Sequence, residues 1–383
     1  MARGYHPLDY ELKRLFQQFG AISNARLNVD KTVVFPLGQQ SPTLKQQFQA
    51  AGIEWVDGDS DEPTRYLGYP IVHTPAQLEF FYDKLATKIE RAADIHSARQ
   101  LSVKGRALIA NALLLATLWH VARVHPPTTR ITERINKAIR TFTMPFFPRP
   151  SLATAQLTKD RGGLGLLNIT HQSTAFQLGS LQHMIKKPES LATQVLGAVI
   201  EKETGAPTWR MVFAFPNHCN FRTALQHFSA ITTMIKSTKQ LSVISLADND
   251  TTSAISILHS PADLWLTSGT DFQLHTKLRM DELFQLHPTE HYLQPIDWDE
   301  ASSSARRLLN RIDAGTVICS PRLQSLLEGP HPQAQDKLSS ALLARDLKGF
   351  PLEVLSTRTI RTALSQEEPT EEETKQAPHW RRL

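Results

Sequence analysis

The sequence has few cysteines. Cys219 and Cys319 stand a hundred residues apart, and neither belongs to a Cys-x-x-Cys pair. A four-ligand zinc site needs cysteines or histidines at short spacings, so this pattern excludes one. It excludes a disulfide scaffold too, since that needs several cysteine pairs. This cysteine usage agrees best with a reducing compartment, and we expect an intracellular location, nuclear or cytoplasmic.

Long apolar segments are also scarce. The chain opens with MARGYHPLDYELKRLF, which has no continuous apolar region of the kind a signal peptide needs. The longest apolar run, residues 107–124, is interrupted by Asn111, His120 and Arg123. These polar side chains favour a buried helix over a membrane span, and we expect no membrane association.

Positive charge is concentrated in the first part of the chain. The net charge is +5, but residues 1–170 carry 21 basic and 14 acidic side chains. The remainder carries 21 basic and 23 acidic side chains, and the segment 79–161 carries 14 basic against only 6 acidic. A basic half followed by a near-neutral half indicates a surface for polyanions such as nucleic acid.

The first 75 residues alternate helical and strand patterns. Apolar residues recur at helical spacing in a predicted helix over 8–19 (Leu12, Leu15, Phe16, Phe19). Short strands are predicted at 33–35 and 65–72, with a helix over 42–52 between them. We expect both strands in one small antiparallel sheet packed on the first helix, with an uncovered edge or face. The polar segment 57–63 is expected to be a solvated loop rather than a metal site.

Helices dominate after Pro75. A predicted helix over 76–100 places Lys84, Lys88 and Arg91 on one side and apolar residues on another. Helices over 101–124 and 131–142 follow, joined by short proline-containing or glycine-containing connectors, which is typical of a helical bundle. Beyond residue 171 helix-like pieces occur around 173–187, 221–236 and 335–347, with a polar loop at 248–253. The acidic segment 365–383 reads as disordered, and no internal repeat is evident.

Four short motifs occur in an informative order: Asn24 to Thr32 (NARLNVDKT), Arg65 to Ile71 (RYLGYPI), Leu101 to Pro127 (LSVKGRAL onward) and Lys159 to Asn168 (KDRGGLGLLN). Together they resemble the C-terminal half of a non-LTR (LINE-type) retrotransposon reverse transcriptase. In that family the corresponding segments are called motif D, the primer grip, the thumb and the connection. The resemblance covers roughly residues 8 to 187. Each motif alone is unspecific, and the order of all four carries the likeness.

The resemblance assigns roles to particular residues. Lys31 matches the motif D lysine near the nucleotide phosphates, where a cation offsets charge that develops during transfer. Tyr66, Leu67 and Gly68 match the primer-grip turn, and a glycine there lets backbone approach nucleic acid closely. The thumb would bind nucleic acid through its basic side chains, which are Lys84, Lys88, Arg91, Lys104 and Arg106. We expect these five on one connected surface. Simpler interpretations stay open: Lys31 as a solvated turn residue, Gly68 as the end of a strand, and Lys104 and Arg106 as a charged first helical turn that faces water.

The resemblance implies a mainly α fold: a small antiparallel palm-remnant sheet, a helical thumb bundle and a helical C-terminal region. The implied segments are a partial palm at 1–75, a thumb at 76–145, a connection at 146–187, a helical region at 188–364 and an acidic tail at 365–383.

Polymerase chemistry needs paired aspartates holding two divalent ions, and the intact family uses Mg²⁺ for this purpose. No Asp-Asp pair occurs in the sequence, and the residues before the predicted first helix contain none of the family's catalytic motifs. The late zinc knuckle is absent as well, so the chain looks cut at both ends. We expect a truncated, polymerase-inactive protein that needs no cofactor of its own and has no small-molecule substrate. It would retain binding of RNA or an RNA–DNA duplex.

Two alternatives remain open from the sequence. One is a helical protein–protein scaffold without nucleic-acid binding. The other is an active polymerase whose catalytic aspartates come from a missing upstream segment.

Overall fold

The protein is described by a computed structural model. It covers residues 6–25, 28–37, 42–206, 208–215, 229–240, 243–244, 254–269, 274, 276–288, 292–329, 343–344 and 350–365. Helix makes up 61% of the structure, and the strands are only two or three residues long. The predicted mainly α class with small sheets is therefore confirmed. The acidic segment 366–383, the loop at 248–253 and the motif D residue Leu27 lie outside the described residues.

The first part contains two separate strand pairs. Its elements are α1 (His6–Ser23), β1 (Val33–Val34), α2 (Pro42–Ala50), β2 (Glu54–Trp55), β3 (Thr64–Tyr66) and β4 (Tyr69–Ile71). β1 pairs with β2 in parallel, while β3 pairs with β4 as an antiparallel hairpin. The predicted single sheet of 33–35 with 65–72 is therefore wrong. The sequence analysis did not predict strand β2. Helix α2 connects β1 to β2, so β2 can pair with β1 in parallel.

The first helix does not cover a sheet. Leu15, Phe16 and Phe19 are 53%, 49% and 62% exposed, and Ile22 is 89% exposed. The predicted packing of this helix on both strands is therefore wrong for these side chains. The strands find other partners: Phe48 of α2 approaches Trp55 at 6.1 Å between ring centroids. The burial of the Leu12 side chain lies outside what the structure describes.

Four helical segments form the predicted thumb: α3 (Pro75–Ser97), α4 (Val103–Ile109), α5 (Ala116–Ala122) and α6 (Thr129–Thr143). Thr74 and Gln77 form a capping box at the start of α3, and Ser102 and Thr128 cap α4 and α6. Between α4 and α5 the segment Ala110–Leu114 is a π-helical turn, closed by a 2.8 Å bond from Leu115 N–H to Ala110 O. One continuous helical run therefore spans residues 103–122.

The thumb helices enclose the first hydrophobic core. In α6, Ile131, Ile135 and Ile139 recur every four residues, so they form one buried face against α3. Tyr82, Leu114 and Leu118 complete this core, and residues after the thumb join it, namely Met144, Ala155, Leu164, Leu166 and Ile169. The run Val103–Ala122 is long and apolar enough to span a membrane by length and composition, a test that core helices also pass.

The connection leads into a second helical cluster. After α7 (Leu152–Gln156) come α8 (Ile169–Lys186), α9 (Leu191–Thr204), α10 (Trp209–Ala214) and α11 (Ser229–Gln240). α8 packs against α11 on one side and against α15 (Thr357–Leu364) on another. Leu178, Phe213, Ile235 and Ile360 share this core. The predicted helices at 173–187 and 221–236 correspond to α8 and, in the described part, to α11.

The region 254–329 forms a third core. It contains α12 (Ala254–Leu258), β6 (Leu266–Ser268), β7 (Phe284–Leu286), β8 (Leu293–Pro295), α13 (Ser303–Asp313), β9 (Val317–Cys319) and α14 (Pro321–Glu328). β6 pairs with β9, and β7 pairs with β8, both antiparallel. The remaining strands are β5 (Val243–Ile244), β10 (Leu343–Ala344) and β11 (Phe350–Pro351), paired in the order β11-β10-β5. Leu343 and Ala344 are thus strand, contrary to the helix predicted for 335–347.

Two short units in this third core repeat one another at an offset of 18 residues. A 3₁₀ turn precedes β6 at Ala262–Leu264, and another precedes β7 at Met280–Glu282. Ala262 N–H donates to Leu278 O at 2.9 Å, and Met280 N–H donates to Ser260 O at 3.0 Å. The two donors, Ala262 and Met280, are 18 residues apart, and so are the two acceptors, Ser260 and Leu278. The sequence analysis found no repeat because the two segments share the positions of their buried residues rather than residue identities.

Candidate nucleic-acid interface

The predicted primer-grip residues lie at the tip of the β3–β4 hairpin. A two-residue loop, Leu67 and Gly68, connects the strands, with φ angles of 51° and 86°. Positive φ at both central positions is typical of a type I′ turn, which matches the natural twist of a hairpin. Gly68 adopts this conformation without cost, whereas leucine rarely does. The strain at Leu67 therefore has to be offset by contacts around the turn.

The hairpin tip is fixed to the thumb by His120 of α5. Its Nε2 lies 3.0 Å from Leu67 O, and its ring lies 4.1 Å from the Tyr69 ring. A Cβ at Gly68 would come within 3.0 Å of the same His120 nitrogen. Gly68 is therefore required both for its backbone conformation and for this close approach. His120 holds the backbone of the turn, while Tyr66 and Leu67 remain 65% and 76% exposed.

A second histidine supports the hairpin from the end of the same helical run. His125 bonds to the backbone carbonyl of Pro70 in β4, and Tyr82 donates its hydroxyl proton to His125 O. Burial lowers the pKa of His125, and the Pro70 bond partly opposes that shift. Burial also raises the pKa of Tyr82. The sequence analysis gave His120 and His125 no site role; the only signal was a polar side chain inside or just after an apolar helix.

Replacing Leu67 by asparagine should stabilise the protein by about 1 kcal/mol. Asparagine tolerates the left-handed conformation that leucine adopts here at a cost of that order. Urea denaturation of Leu67→Asn beside the wild type measures the change. Tyr66→Asn serves as the control, because Tyr66 lies in strand β3 and is equally open to solvent. Loss of stability in Leu67→Asn would contradict a strained turn.

Lys31 lies at the end of a 3₁₀ turn, Val29–Lys31, that follows the motif D asparagine. The Asn28 side chain accepts a hydrogen bond from Lys31 N–H at 3.2 Å, and Thr32 Oγ1 donates to Asn28 O at 2.7 Å. The Lys31 side chain is exposed. Asn28 thus shapes the turn that presents Lys31 to solvent, and the predicted position of Lys31 near a nucleotide phosphate stays a prediction.

Three predicted nucleic-acid contacts share one side of α3. Lys84, Lys88 and Arg91 follow i, i+4, i+7 spacing, and all three are exposed. Lys84 is partly neutralised, because its ammonium lies 2.6 Å from a Glu62 carboxylate oxygen and 4.6 Å from the Phe80 ring centroid. Lys88 and Arg91 have no ion pair with any residue that the structure describes. We call Lys84, Lys88 and Arg91 the α3 stripe.

Three of the four acidic side chains of α3 lie about a third of a turn away from this stripe and are paired with α6, whereas the fourth, Asp94, is exposed. Arg130 lies 2.5 Å from Glu79 and 2.6 Å from Asp83. Arg134 lies 2.8 Å from Asp83 and 2.6 Å from Glu90. Hydrogen bonds from Arg130 are the main cause of the lowered pKa of Asp83. We call these five residues the α3–α6 ladder.

The ladder leaves a strong positive excess in the thumb. Its two arginines and three acids belong to the 14 basic and 6 acidic side chains of residues 79–161. Setting them aside leaves twelve cations against three acids in the same segment. Half of the acids of this segment are therefore held at a helix–helix contact, and the remaining cations outnumber the remaining acids four to one.

The predicted pair Lys104 and Arg106 divides into two different roles. Lys104 is exposed in the first turn of α4 and has no ion pair within the described parts of the chain. Arg106 instead donates to three backbone carbonyls, those of Leu101 at 3.3 Å, Phe142 at 3.2 Å and Ser97 at 3.4 Å. It therefore joins the end of α3 to α6. Three of the five guanidinium N–H donors of Arg106 are thus engaged by backbone, and its predicted contact with phosphate stays a prediction.

A buried carboxylate lies where a solvated loop was predicted. Asp57 is fully buried and accepts hydrogen bonds from Lys45 Nζ and Trp55 Nε1, both at 2.7 Å. Its carbonyl accepts from Gln77 Nε2 at 2.6 Å, which ties the loop to the first turn of α3. The Lys45 contact is the main reason that the pKa of Asp57 falls to about 2. The solvated-loop prediction is therefore wrong for Asp57, although Asp59, Asp61 and Glu62 are exposed.

No protein-family model matches the sequence, and no curated protein matches it either. Within the described ranges there is no group of three or more histidine, cysteine or acidic side chains arranged to hold a metal ion. The chemistry available at the interface is therefore that of its own side chains: free cations, an exposed aromatic ring and a backbone turn.

Proposed function

We propose that the chain binds RNA or an RNA–DNA duplex without sequence preference, through the α3 stripe, Lys104 and the β3–β4 hairpin tip. In this proposal the protein is a reverse-transcriptase-like retroelement protein, on the basis of the motif order. Binding is its retained activity, and it carries no polymerase chemistry of its own.

The observation that carries the proposal is the separation of charge on the thumb. Three of the four acids of α3 are held by Arg130 and Arg134, whereas Lys88, Arg91 and Lys104 face solvent without a counter-ion among the described residues. Unpaired cations on one helix face, as Lys88 and Arg91 are, repel one another, and a polyanion relieves this repulsion. Phosphate neutralisation of this kind releases counter-ions and does not depend on sequence.

The hairpin tip adds a different kind of contact. Tyr66 is exposed and aromatic, so its ring can stack on any base, and such stacking contributes about 1–3 kcal/mol per base. His120 fixes the turn, so the ring is presented from a supported backbone rather than from a free loop. Stacking and phosphate contacts together are the usual combination in sequence-tolerant binding.

Four carboxylates near the interface are already engaged in ion pairs. Two-metal catalysis needs a pair of carboxylates free to coordinate both ions. Near the interface, Glu79, Asp83 and Glu90 are each occupied by an arginine, and Asp57 is occupied by Lys45. Each of these acids thus already has a structural role.

The salt dependence of binding tests the proposal. We expect a variant with Lys88→Gln, Arg91→Gln and Lys104→Gln to bind a single-stranded RNA or an RNA–DNA duplex more weakly than the wild type. The slope of log K against log salt should become shallower by roughly two to three units, since each lost phosphate contact removes about 0.7–0.9. Fluorescence anisotropy over a salt series measures both quantities.

A charge-matched variant controls for net charge. Lys186, Lys187 and Lys202 are exposed on α8 and α9 and at the start of the link between them, so their replacement by glutamine makes the same change in charge outside the interface. We expect this control to keep most of the affinity and nearly all of the slope. Equal losses in the two triple variants would reject a defined interface on the thumb.

A second candidate function is a protein–protein scaffold, and the exposed apolar side chains of α1 favour it. Leu15, Phe16, Phe19 and Ile22 form a contiguous apolar set at helical spacing, which is a common signature of an interaction helix. A wild-type chain that shows no salt-dependent binding to RNA or duplex would favour this scaffold function.

A further inference from the structure

The last described helix, α15, returns the chain to the beginning of α8. Arg361 donates to the Gln172 side-chain oxygen at 2.5 Å, and Ser365 Oγ lies 3.3 Å from His171 Nδ1. Gln182 donates to the carbonyls of Leu352 and Leu355, both at 2.6 Å, and so holds the segment just before α15. The chain therefore continues beyond Ser365 from a fixed point at the first turn of α8.

Two arginines of α15 lack an acidic partner at this point. Arg358 and Arg361 lie three residues apart and so share one face of the helix, with Ser365 four residues further along. Burial, together with the neighbouring Arg358, lowers the pKa of Arg361. Its hydrogen-bond partner is the neutral amide of Gln172, and no carboxylate in the described residues pairs with it. A half-buried cation beside a like charge is stabilised when an anion approaches.

A series of hydrogen bonds leads from this arginine pair through Gln172 and Asn168 to a further basic segment. Asn168, the N-cap of α8, accepts from His171 N–H at 3.1 Å and donates to the Gln156 side chain at 3.1 Å. Just after Gln156, the 3₁₀ turn Lys159–Arg161 exposes both of its cations, with Asp160 between them. We call Lys159, Arg161, Arg358 and Arg361 the α8-start cluster. It carries four cations and a single nearby acid, Asp160.

The chain itself supplies a matching polyanion immediately after Ser365. Residues 366–373 read QEEPTEEE, with five glutamates and no basic residue. Eight residues reach up to about 26 Å at roughly 3.3 Å per residue. That is about twice the length of α15, so the segment can reach back to the cations beside its own starting point. A tethered segment acts at an effective concentration in the millimolar range.

We propose that the glutamate-rich segment 366–373 docks on the α8-start cluster and competes there with nucleic acid. The docking follows from the unpaired cations and the segment's position. The competition additionally rests on the proposed nucleic-acid binding of the thumb, against which α8 packs through α5 and α6. The segment is thereby a built-in, charge-based inhibitor.

Cross-linking of the full chain tests the docking without nucleic acid. A carbodiimide joins a carboxylate to an amine only when the two are in direct contact, and Lys159 is the amine of the cluster. We expect cross-links from Lys159 to the glutamates of 366–373, found by mass spectrometry, at low salt and their suppression at high salt. A variant with the five glutamates replaced by glutamine lacks the reactive carboxylates, so any cross-link that persists in it does not come from segment 366–373. Absence of such cross-links in the wild type would overturn the inference.

Affinity for nucleic acid tests the competition. Arg161→Gln with Arg358→Gln removes two exposed cations from the cluster. If the acidic segment is docked there, its release should raise RNA affinity about three- to tenfold at low salt, although positive charge has been lost. Loss of two positive charges without release of the segment would lower the affinity for RNA, so a fall in affinity would overturn the competition. If the wild type binds no RNA, the proposed function fails while the cross-links still decide the docking.

Discussion

Gly163→Ala is expected to cost about 3–5 kcal/mol of the free energy of unfolding, enough to unfold much of a marginally stable chain. A Cβ at Gly163 would lie 2.0 Å from the backbone oxygen of Leu157 and 2.5 Å from its carbonyl carbon. Backbone atoms cannot move aside as the end of a side chain can. The change would therefore force the connection away from α7 and open the first core at Leu164 and Leu166.

The reason for this close approach is the hydrogen bonding of the connection. Leu164 N–H and Leu166 N–H both donate to Ala155 O, at 3.0 and 3.2 Å, and Gly165 N–H donates to Leu157 O at 2.9 Å. The segment after Gly163 thus folds directly against the end of α7. Glycine at 163 is needed for the space and not for the dihedral angle, in contrast to Gly68.

Gly179→Ala in α8 is the matched control, since nothing lies within 4 Å of a Cβ at that position. Alanine is the better helix former by roughly 0.5–1 kcal/mol, so this variant should be slightly more stable than the wild type. Urea denaturation followed by circular dichroism compares the two variants. Similar stabilities for Gly163→Ala and Gly179→Ala would contradict the tight packing of the connection.

Asp57→Asn should lower the free energy of unfolding at neutral pH by about 2 kcal/mol and remove a specific pH dependence. The contact with Lys45 lowers the pKa of Asp57 from 3.8 to about 2 in the folded chain. One pKa unit corresponds to about 1.4 kcal/mol. A lowered carboxylate pKa stabilises the fold fully above its unfolded value, and the contribution is lost as the pH falls through the folded value. The window therefore extends from about pH 4 down to about pH 2.

Denaturant titrations between pH 2 and pH 6 measure this contribution. The wild type should lose more stability across the window than Asp57→Asn, and the difference between them should vanish at the acidic end. Asp61→Asn is the control, because Asp61 is exposed in the same loop and its substitution should leave the wild-type pH profile unchanged. Identical profiles for the wild type and Asp57→Asn would show that the Lys45 contact does not stabilise the folded state.

Helix positions were predictable because their causes are local. The four-residue spacing of Ile131, Ile135 and Ile139 and the caps at Ser102 and Thr128 depend on neighbours within one turn. The α3 stripe followed from the same periodicity. The boundaries of the predicted domains stay predictions; within the described ranges, residues before and after residue 146 share the first hydrophobic core.

Strand pairing was not predictable in the same way. The parallel partner of Val33 and Val34 is a two-residue strand, too short to show a pattern, and the chain brings it back only through α2. The surroundings of Arg106 and Asp57 were not predictable for a related reason. Both are charged residues whose surroundings come from distant segments, Phe142 for the first and Lys45 for the second. Charged side chains are usually exposed to solvent, so residue type alone predicted exposure for both.

The π-helical turn at 110–114 constrains the number of residues between α4 and α5. It accommodates one residue more than an α-helix would over the same rise, so it sets the rotation between α4 and α5. On one side, Asn111 is held by Gly165 O at 2.9 Å and Leu167 N–H at 3.0 Å; on the other, His120 meets the hairpin. Deleting a single residue there would restore a regular helix but turn His120 by about 100° from Leu67. Substitutions in this turn leave that angle intact, whereas insertions and deletions do not, so the constrained property of the segment is its residue count.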